Sequence, residues 1–227
     1  MTVSGVRFWD SSVGRKVLMS LTGLMMVLFV VLHVIGNSTI YFHWLNAYSA
    51  HLHALPALIW AYRVFMLVVL SAHIFFAVQL KLENVEAKPL EYVCKRNRSA
   101  TFASKNMIWT GVLIAIYLVY HLLHFTVQVV NPEFSARQHM DALGRPDVYE
   151  MVVRSFQNLS ISLIYIFAMT VLALHLTHGI QSLFQTLGMN NEKTMPLIIK
   201  AGAITAIILS LGYISIPVLV LTGVLKG

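Results

Sequence analysis

Five stretches of this chain, roughly 17–41, 57–80, 107–130, 157–184 and 197–225, each exceed the ~20 apolar residues that a helix needs to cross the hydrocarbon core of a bilayer. Nothing else in the sequence restricts the fold as much. In lipid the backbone polar groups must be satisfied inside the structure, so such stretches become helices or barrel strands. The period-two alternation of barrel strands is absent, and helices are expected. Composition agrees: 58% of residues are hydrophobic and 11% charged, where a water-soluble domain carries about a quarter charged residues. The first run is too long for the core of a signal peptide and lacks a small-residue cleavage site, so it is read as a mature helix. The longest loop, about 131–156, is too short to fold alone, and residues 1–227 are read as a single transmembrane domain.

Counting Lys and Arg sets the orientation. With five helices, eleven basic residues fall on the side of the N-terminus: Arg7, Arg15, Lys16, Lys81, Lys88, Lys95, Arg96, Arg98, Lys105, Lys193 and Lys200. Five fall opposite, Arg63, Arg137, Arg145, Arg154 and Lys226, which places the N-terminus in the cytoplasm. Much of the +7 net charge therefore sits on one face, where it suits anionic lipid or a docking partner. Trp44, Trp60, Tyr41, Tyr48 and Tyr62 form an aromatic belt at the outer ends of helices I and II. Cys94 is the single cysteine, on the inner loop, so a disulfide, a thiolate metal cluster and the C-x-x-C-H attachment of a covalent heme are all ruled out within the chain.

Histidine is the residue type that carries chemistry here. An ionisable side chain inside a membrane helix is costly and by default faces the bundle interior for a function. Six lie within the spans: His33, His73, His121, His124, His175 and His178. No Asp or Glu lies between Asp10 and Glu83, within helix III, or between Glu150 and Glu192, so the carboxylates usual in proton pumps and cation transporters are missing.

Depth pairs the histidines. At 1.5 Å per residue, His33 on helix I and His121 on helix III lie roughly 25 and 24 Å from the inner ends of their helices, at one outer level. His73 on helix II and His175 on helix IV lie roughly 12 and 17 Å from the inner side, at one inner level. Two imidazoles on different helices at one depth can supply both axial nitrogens of a heme iron. The expected fold is therefore an all-α membrane protein in which helices I–IV form a four-helix bundle around two heme levels. Gly36, three residues after His33, and Gly179, four after His175, are expected to let a flat macrocycle approach the backbone. His124 and His178 each lie three residues beyond a chosen ligand on nearly the same face, and either can replace its neighbour in this assignment.

The segments Gly14-Arg15-Lys16, Met19-Ser20-Leu21-Thr22-Gly23, His33-Val34-Ile35-Gly36-Asn37, Tyr120-His121-Leu122-Leu123-His124, and His175-x-x-His178-Gly179 ending in Gln185-Thr186-Leu187-Gly188 resemble the diheme cytochrome b anchor. That family supplies the membrane subunit of succinate:menaquinone oxidoreductases and quinol:fumarate reductases. The resemblance implies two heme b groups, held by His33 with His121 on the outer side and by His73 with His175 on the inner side. It implies a flavoprotein subunit with FAD and an iron–sulfur subunit on the cytoplasmic face, with electrons passing between succinate or fumarate and a quinone, menaquinone in particular. The chain would then be the electron-transfer subunit of an oxidoreductase, not binding the dicarboxylate itself, in the cytoplasmic membrane of a bacterium or archaeon. Some relatives use a Glu near the outer heme for quinol protons, and residues 42–62 contain no acid; His43, His51 and His53 are the protonatable groups there. Arg15, Lys16, Arg63 and Lys81 are placed to neutralise heme propionates at the two membrane edges.

Other readings remain. One is the diheme anchor of a hydrogenase or formate dehydrogenase. The cytochrome b of a quinol:cytochrome c complex fits poorly, because it carries both ligands on each of two helices. A histidine-lined metal transporter would need a polar path that the spans lack.

Overall fold

In a computed structural model the protein is described over residues 8–87 and 102–226. The helices are α1 Ser12–Asn37, α2 Leu45–His53, α3 Pro56–Glu86, α4 Phe102–Lys105, α5 Met107–His121, α6 Val148–Gln157, α7 Leu159–Thr186 and α8 Met195–Leu221, and no strand occurs among the described residues. Among those residues α1, α3, α5 with its continuation, α7 and α8 are long and apolar enough to cross a membrane. Their ends carry the local signals that stop and start helices. Ser11 caps α1 by accepting from Gly14 N at 3.0 Å, and Asn158 caps α7 by accepting from Ser160 N at 3.0 Å. Pro56 and Pro196 stand in the first turns of α3 and α8, where no intrahelical N–H is needed.

The end at which α1 begins is the one that the Lys and Arg count assigns to the inner side. Around the bundle the packed order is α3, α1, α7, α5, with α8 against α7 and α1. His33 and His121 thus lie on one diagonal, α1 to α5, and His73 and His175 on the other, α3 to α7. The distribution of side chains is that of a lipid-embedded bundle. Leu67, Val68, Phe75, Ile116, Val119, Ile207 and Ile208 are exposed, whereas Ser20, Thr110, Ser162 and Ser210 are buried between helices. Gly212 lets α8 approach α1, since a Cβ there would stand 2.8 Å from Val34 Cγ2. Nearby, the Tyr213 hydroxyl donates to Val30 O at 2.7 Å.

Three boundaries differ from the sequence reading. Helix I begins at Ser12 rather than 17, helix II runs to Glu86, and helix III leaves α-helical geometry after His121 for a π-helical turn, Leu122–Val127. The segment read as a plain loop, 131–156, instead holds α6. That helix buries Met151, Val153 and Phe156, and the last two join a cluster with Ile40, Leu45, Ile161, Tyr165, Ile216 and Val220. Asp147 caps α6, accepting from Glu150 N at 2.9 Å. Asn46 of α2 ties this cap down, donating to Asp147 Oδ1 at 3.0 Å and accepting from Tyr149 N at 2.8 Å. Arg145 pairs with Asp141 at 2.7 Å, and its hydrogen bonds hold the Asp141 carboxyl down at about 2.

At the inner end Arg15 of α1 bridges Glu83 of α3 at 3.0 Å. Arg7, Lys88, Cys94, Lys95, Arg96 and Arg98 lie outside the described residues.

Candidate functional site: two levels of paired histidines

At the inner level, local hydroxyls fix the imidazoles. His73 Nδ1 lies 3.2 Å from Met19 O and 3.3 Å from Thr22 Oγ1. A carbonyl only accepts, and the Thr22 hydroxyl already gives its proton to Leu18 O or Met19 O at 2.9 Å. His73 therefore carries its proton on Nδ1, which leaves the Nε2 lone pair free. His175 repeats the arrangement on the opposite helix pair: Nδ1 is 3.1 Å from Thr110 Oγ1, whose proton goes to Met107 O at 3.0 Å or Asn106 O at 3.2 Å. Among the described residues no hydrogen bond reaches Nε2 of either ring. Gly23 and Gly111 stand beside these rings, a Cβ on them falling 3.3 Å from His73 Cε1 and 3.5 Å from His175 Cε1.

At the outer level the rings of His33 and His121 are 6.0 Å apart between centroids and nearly perpendicular, at 86°. One metal atom bonded to both would hold the centroids about 6 Å apart, from a metal–nitrogen bond of roughly 2 Å and about 1 Å from nitrogen to ring centre on each side. His33 stacks on Phe29 at 5.1 Å. His121 belongs to a directed chain of hydrogen bonds. Ser155 gives its proton to Met151 O at 2.7 Å, so its oxygen accepts from His124 Nε2 at 3.2 Å. His124 Nδ1 is then the acceptor for the Tyr165 hydroxyl at 3.0 Å, and the Tyr165 oxygen faces His121 Nδ1 at a longer 3.4 Å. The π-helical turn makes this possible by turning His124 inward one turn beyond His121, a common use of such turns at functional sites.

The remaining candidates are placed differently from one another. His124 is 3% exposed with both nitrogens engaged by protein. His178 is partly buried, and its Nδ1 is buried without a partner among the described residues. The glycines beside the inner rings are Gly23 and Gly111; Gly36 makes room for Tyr48, whose hydroxyl would be 2.5 Å from a Cβ there, and the space within 4 Å of Gly179 is open. His43, His51 and His53 are exposed and apart from both pairs. His51 and His53 bond carbonyls of their own helix, Ala47 O and Ser49 O, each at 2.8 Å. His43 has a left-handed backbone, φ 57°, and packs on Tyr149 at 5.2 Å. Arg63 lies over the Trp60 ring at 5.1 Å, and Arg15 is committed to Glu83.

Sequence reasoning missed Thr22, Thr110 and Tyr165. A signal for the first two is present: Thr-Gly-x9-His occurs in helix I, Thr22-Gly23 to His33, and again in helix III, Thr110-Gly111 to His121.

Each pair offers two nitrogens across a bundle diagonal, and among the described residues no three His, Cys, Asp or Glu side chains converge as a metal cluster. Such a site suits a group that brings its own equatorial ligands, as a porphyrin does. Fold and site together define a multi-pass helical membrane protein with histidines from four spans at two depths. Residues 85–210, more than half of the chain, match the family model of the succinate dehydrogenase/fumarate reductase transmembrane subunit, and the chain belongs to that family. The matched stretch contains His121 and His175 with Thr110 and Tyr165, while His33 and His73 precede it. No curated protein and no solved structure gives a significant match.

Proposed function

We propose that this single transmembrane domain is the anchor and electron-transfer subunit of a succinate:quinone oxidoreductase or quinol:fumarate reductase, carrying two noncovalent b-type hemes. The observation that carries this reading is the commitment of Nδ1–H on His73 and His175, which leaves the Nε2 lone pair of each inner ring free for a ligand. The 6.0 Å ring separation of His33 and His121 supports a second group at the outer level. When bound, each heme supplies a one-electron carrier. His73 and His175 hold the inner one; His33 and His121 hold the outer one. The apolar residues around the bundle exclude water from both levels.

Partners follow from the two ends. An iron–sulfur subunit, itself docked to an FAD-bearing flavoprotein, would meet the inner face, where Lys16, Lys81, Lys105, Lys193 and Lys200 gather. A membrane quinone, menaquinone in our reading, would exchange electrons near the outer level. There His43, His51 and His53 are the histidines of the segment between the first two spans that would exchange protons with it. The family match favours this assignment over a hydrogenase or formate dehydrogenase anchor. Purifying the tagged chain from its native bacterial or archaeal membrane tests it: two hemes per chain with a flavoprotein and an iron–sulfur subunit are expected. A heme-free chain, or hydrogenase subunits in the eluate, would contradict it.

A further inference from the structure

Helices I and III have more in common than an outer-level histidine. In both, a Thr-Gly step precedes the outer-level histidine by the same interval, eleven residues from Thr22 to His33 and eleven from Thr110 to His121. Eleven residues make about three α-helical turns and roughly 16 Å of rise, so the threonine and the histidine share one helix face at two levels. The consequence is a division of labour. Helices I and III give a ligand to the outer level and, three turns below it, a hydroxyl to the ligand that the neighbouring helix gives to the inner level. Thr22 meets His73 of α3, and Thr110 meets His175 of α7.

We propose that Thr22 and Thr110 are positioning residues of the inner heme, acting as hydrogen-bond acceptors that fix the tautomer and raise the basicity of its two axial imidazoles. This rests on the function proposed above. Each threonine spends its own proton on its helix, so its oxygen can only accept from Nδ1–H. An accepting partner behind a metal-bound imidazole makes it a stronger donor, which favours the more highly charged, oxidised iron. Removing the acceptor therefore raises the midpoint potential of the inner heme and leaves the outer one alone. The two threonines are not equal. His73 keeps the Met19 carbonyl at 3.2 Å if Thr22 loses its hydroxyl, whereas Thr110 is the sole acceptor for His175 Nδ1 among the described residues.

The test uses the intact complex in detergent. Potentiometric titration follows both hemes optically, and the inner component is identified as the one lost in His175→Ala. Thr110→Val, which keeps the β-branch and removes the acceptor, should raise the inner potential by about 59 mV, a tenfold change in a one-electron equilibrium. Thr22→Val should raise it less, and Thr110→Ser should restore the wild-type value. Loss of the inner heme in Thr110→Val but not in Thr110→Ser would support the proposal equally. If Thr110→Val does not assemble, the smaller shift in Thr22→Val, with recovery in Thr22→Ser, carries the test. Unchanged potentials in the valine variants, a shift in the outer component, or serine variants that behave like valine would each overturn it. A wild-type complex with two hemes and those results would sink this inference alone; fewer than two hemes would sink the proposed function with it.

Discussion

The Tyr165 hydroxyl donates to Nδ1 of His124 across 3.0 Å, and that bond distinguishes the two histidines of helix III. With Nε2 donating to Ser155, His124 has no nitrogen left for a ligand, whereas no described residue bonds His121 Nε2.

His124→Ala should therefore keep both hemes and lose stability. It takes from the Tyr165 hydroxyl its 3.0 Å acceptor in the interior, at about 1–3 kcal/mol for a group left unpaired, while Ser155 keeps its bond to Met151 O. Pyridine-hemochrome analysis beside a thermal melt in detergent separates the effects. Loss of a heme with an unchanged melt would assign His124 as a ligand instead.

Tyr165→Phe removes the oxygen that faces His121 Nδ1 and the donor to His124. Both hemes should remain, with the outer component alone moving in a redox titration. Movement of the inner component would place Tyr165 at the wrong level.

Gly23 and Gly111 predict unequal outcomes for one substitution. A Cβ on Gly111 meets His175 Cε1 at an ordinary 3.5 Å, but one on Gly23 meets His73 Cε1 at a tight 3.3 Å. Gly111→Ala should leave the heme spectrum unchanged, and Gly23→Ala should perturb the inner component. The reverse order, read from low-temperature optical spectra, would refute the placement of these rings.

Asn46 is the buried link between α2 and the cap of α6. Asn46→Ala should cost about 1–3 kcal/mol and speed proteolysis of the outer segment, while both hemes stay. The neighbouring Asp141–Arg145 pair should outlast mild acid. The Asp141 carboxyl lies below its ordinary 3.8, at about 2, because of Arg145, so its contribution is complete above 3.8 and is lost only as the pH falls through about 2. Proteolysis of the outer segment that accelerates between pH 6 and pH 4.5 would argue against this pairing.

The spans and the histidines inside them are legible in the sequence for physical reasons. Bilayer thickness sets helix length, and a histidine in lipid stands out against its neighbours. Depth along a straight helix then needs only a count of residues. The parts that escaped depend on neighbours. Thr22 and Thr110 satisfy their own helices and look like ordinary membrane threonines until His73 and His175 are set beside them. The π-helical turn that brings His124 to Tyr165 has no local signature in Leu122–Val127, and α6 is ten residues long, too short to stand out beside the spans. Gly36 and Gly179 share a helix with a histidine, but the close approaches at Gly23 and Gly111 come from rings on the adjacent helix. The choice between His175 and His178 is open by spacing alone. Their surroundings differ, because Thr110 orients His175 while His178 Nδ1 has no described partner.

The most direct measurement is the heme count, by pyridine hemochrome and reduced-minus-oxidised spectra, of the purified complex and four single variants. Two b-type hemes are predicted in the parent. His33→Ala and His121→Ala should each lose one and the same spectral component, and His73→Ala and His175→Ala the other. One heme or none in the parent, or a component lost in His178→Ala yet retained in His175→Ala, would contradict the two-level account.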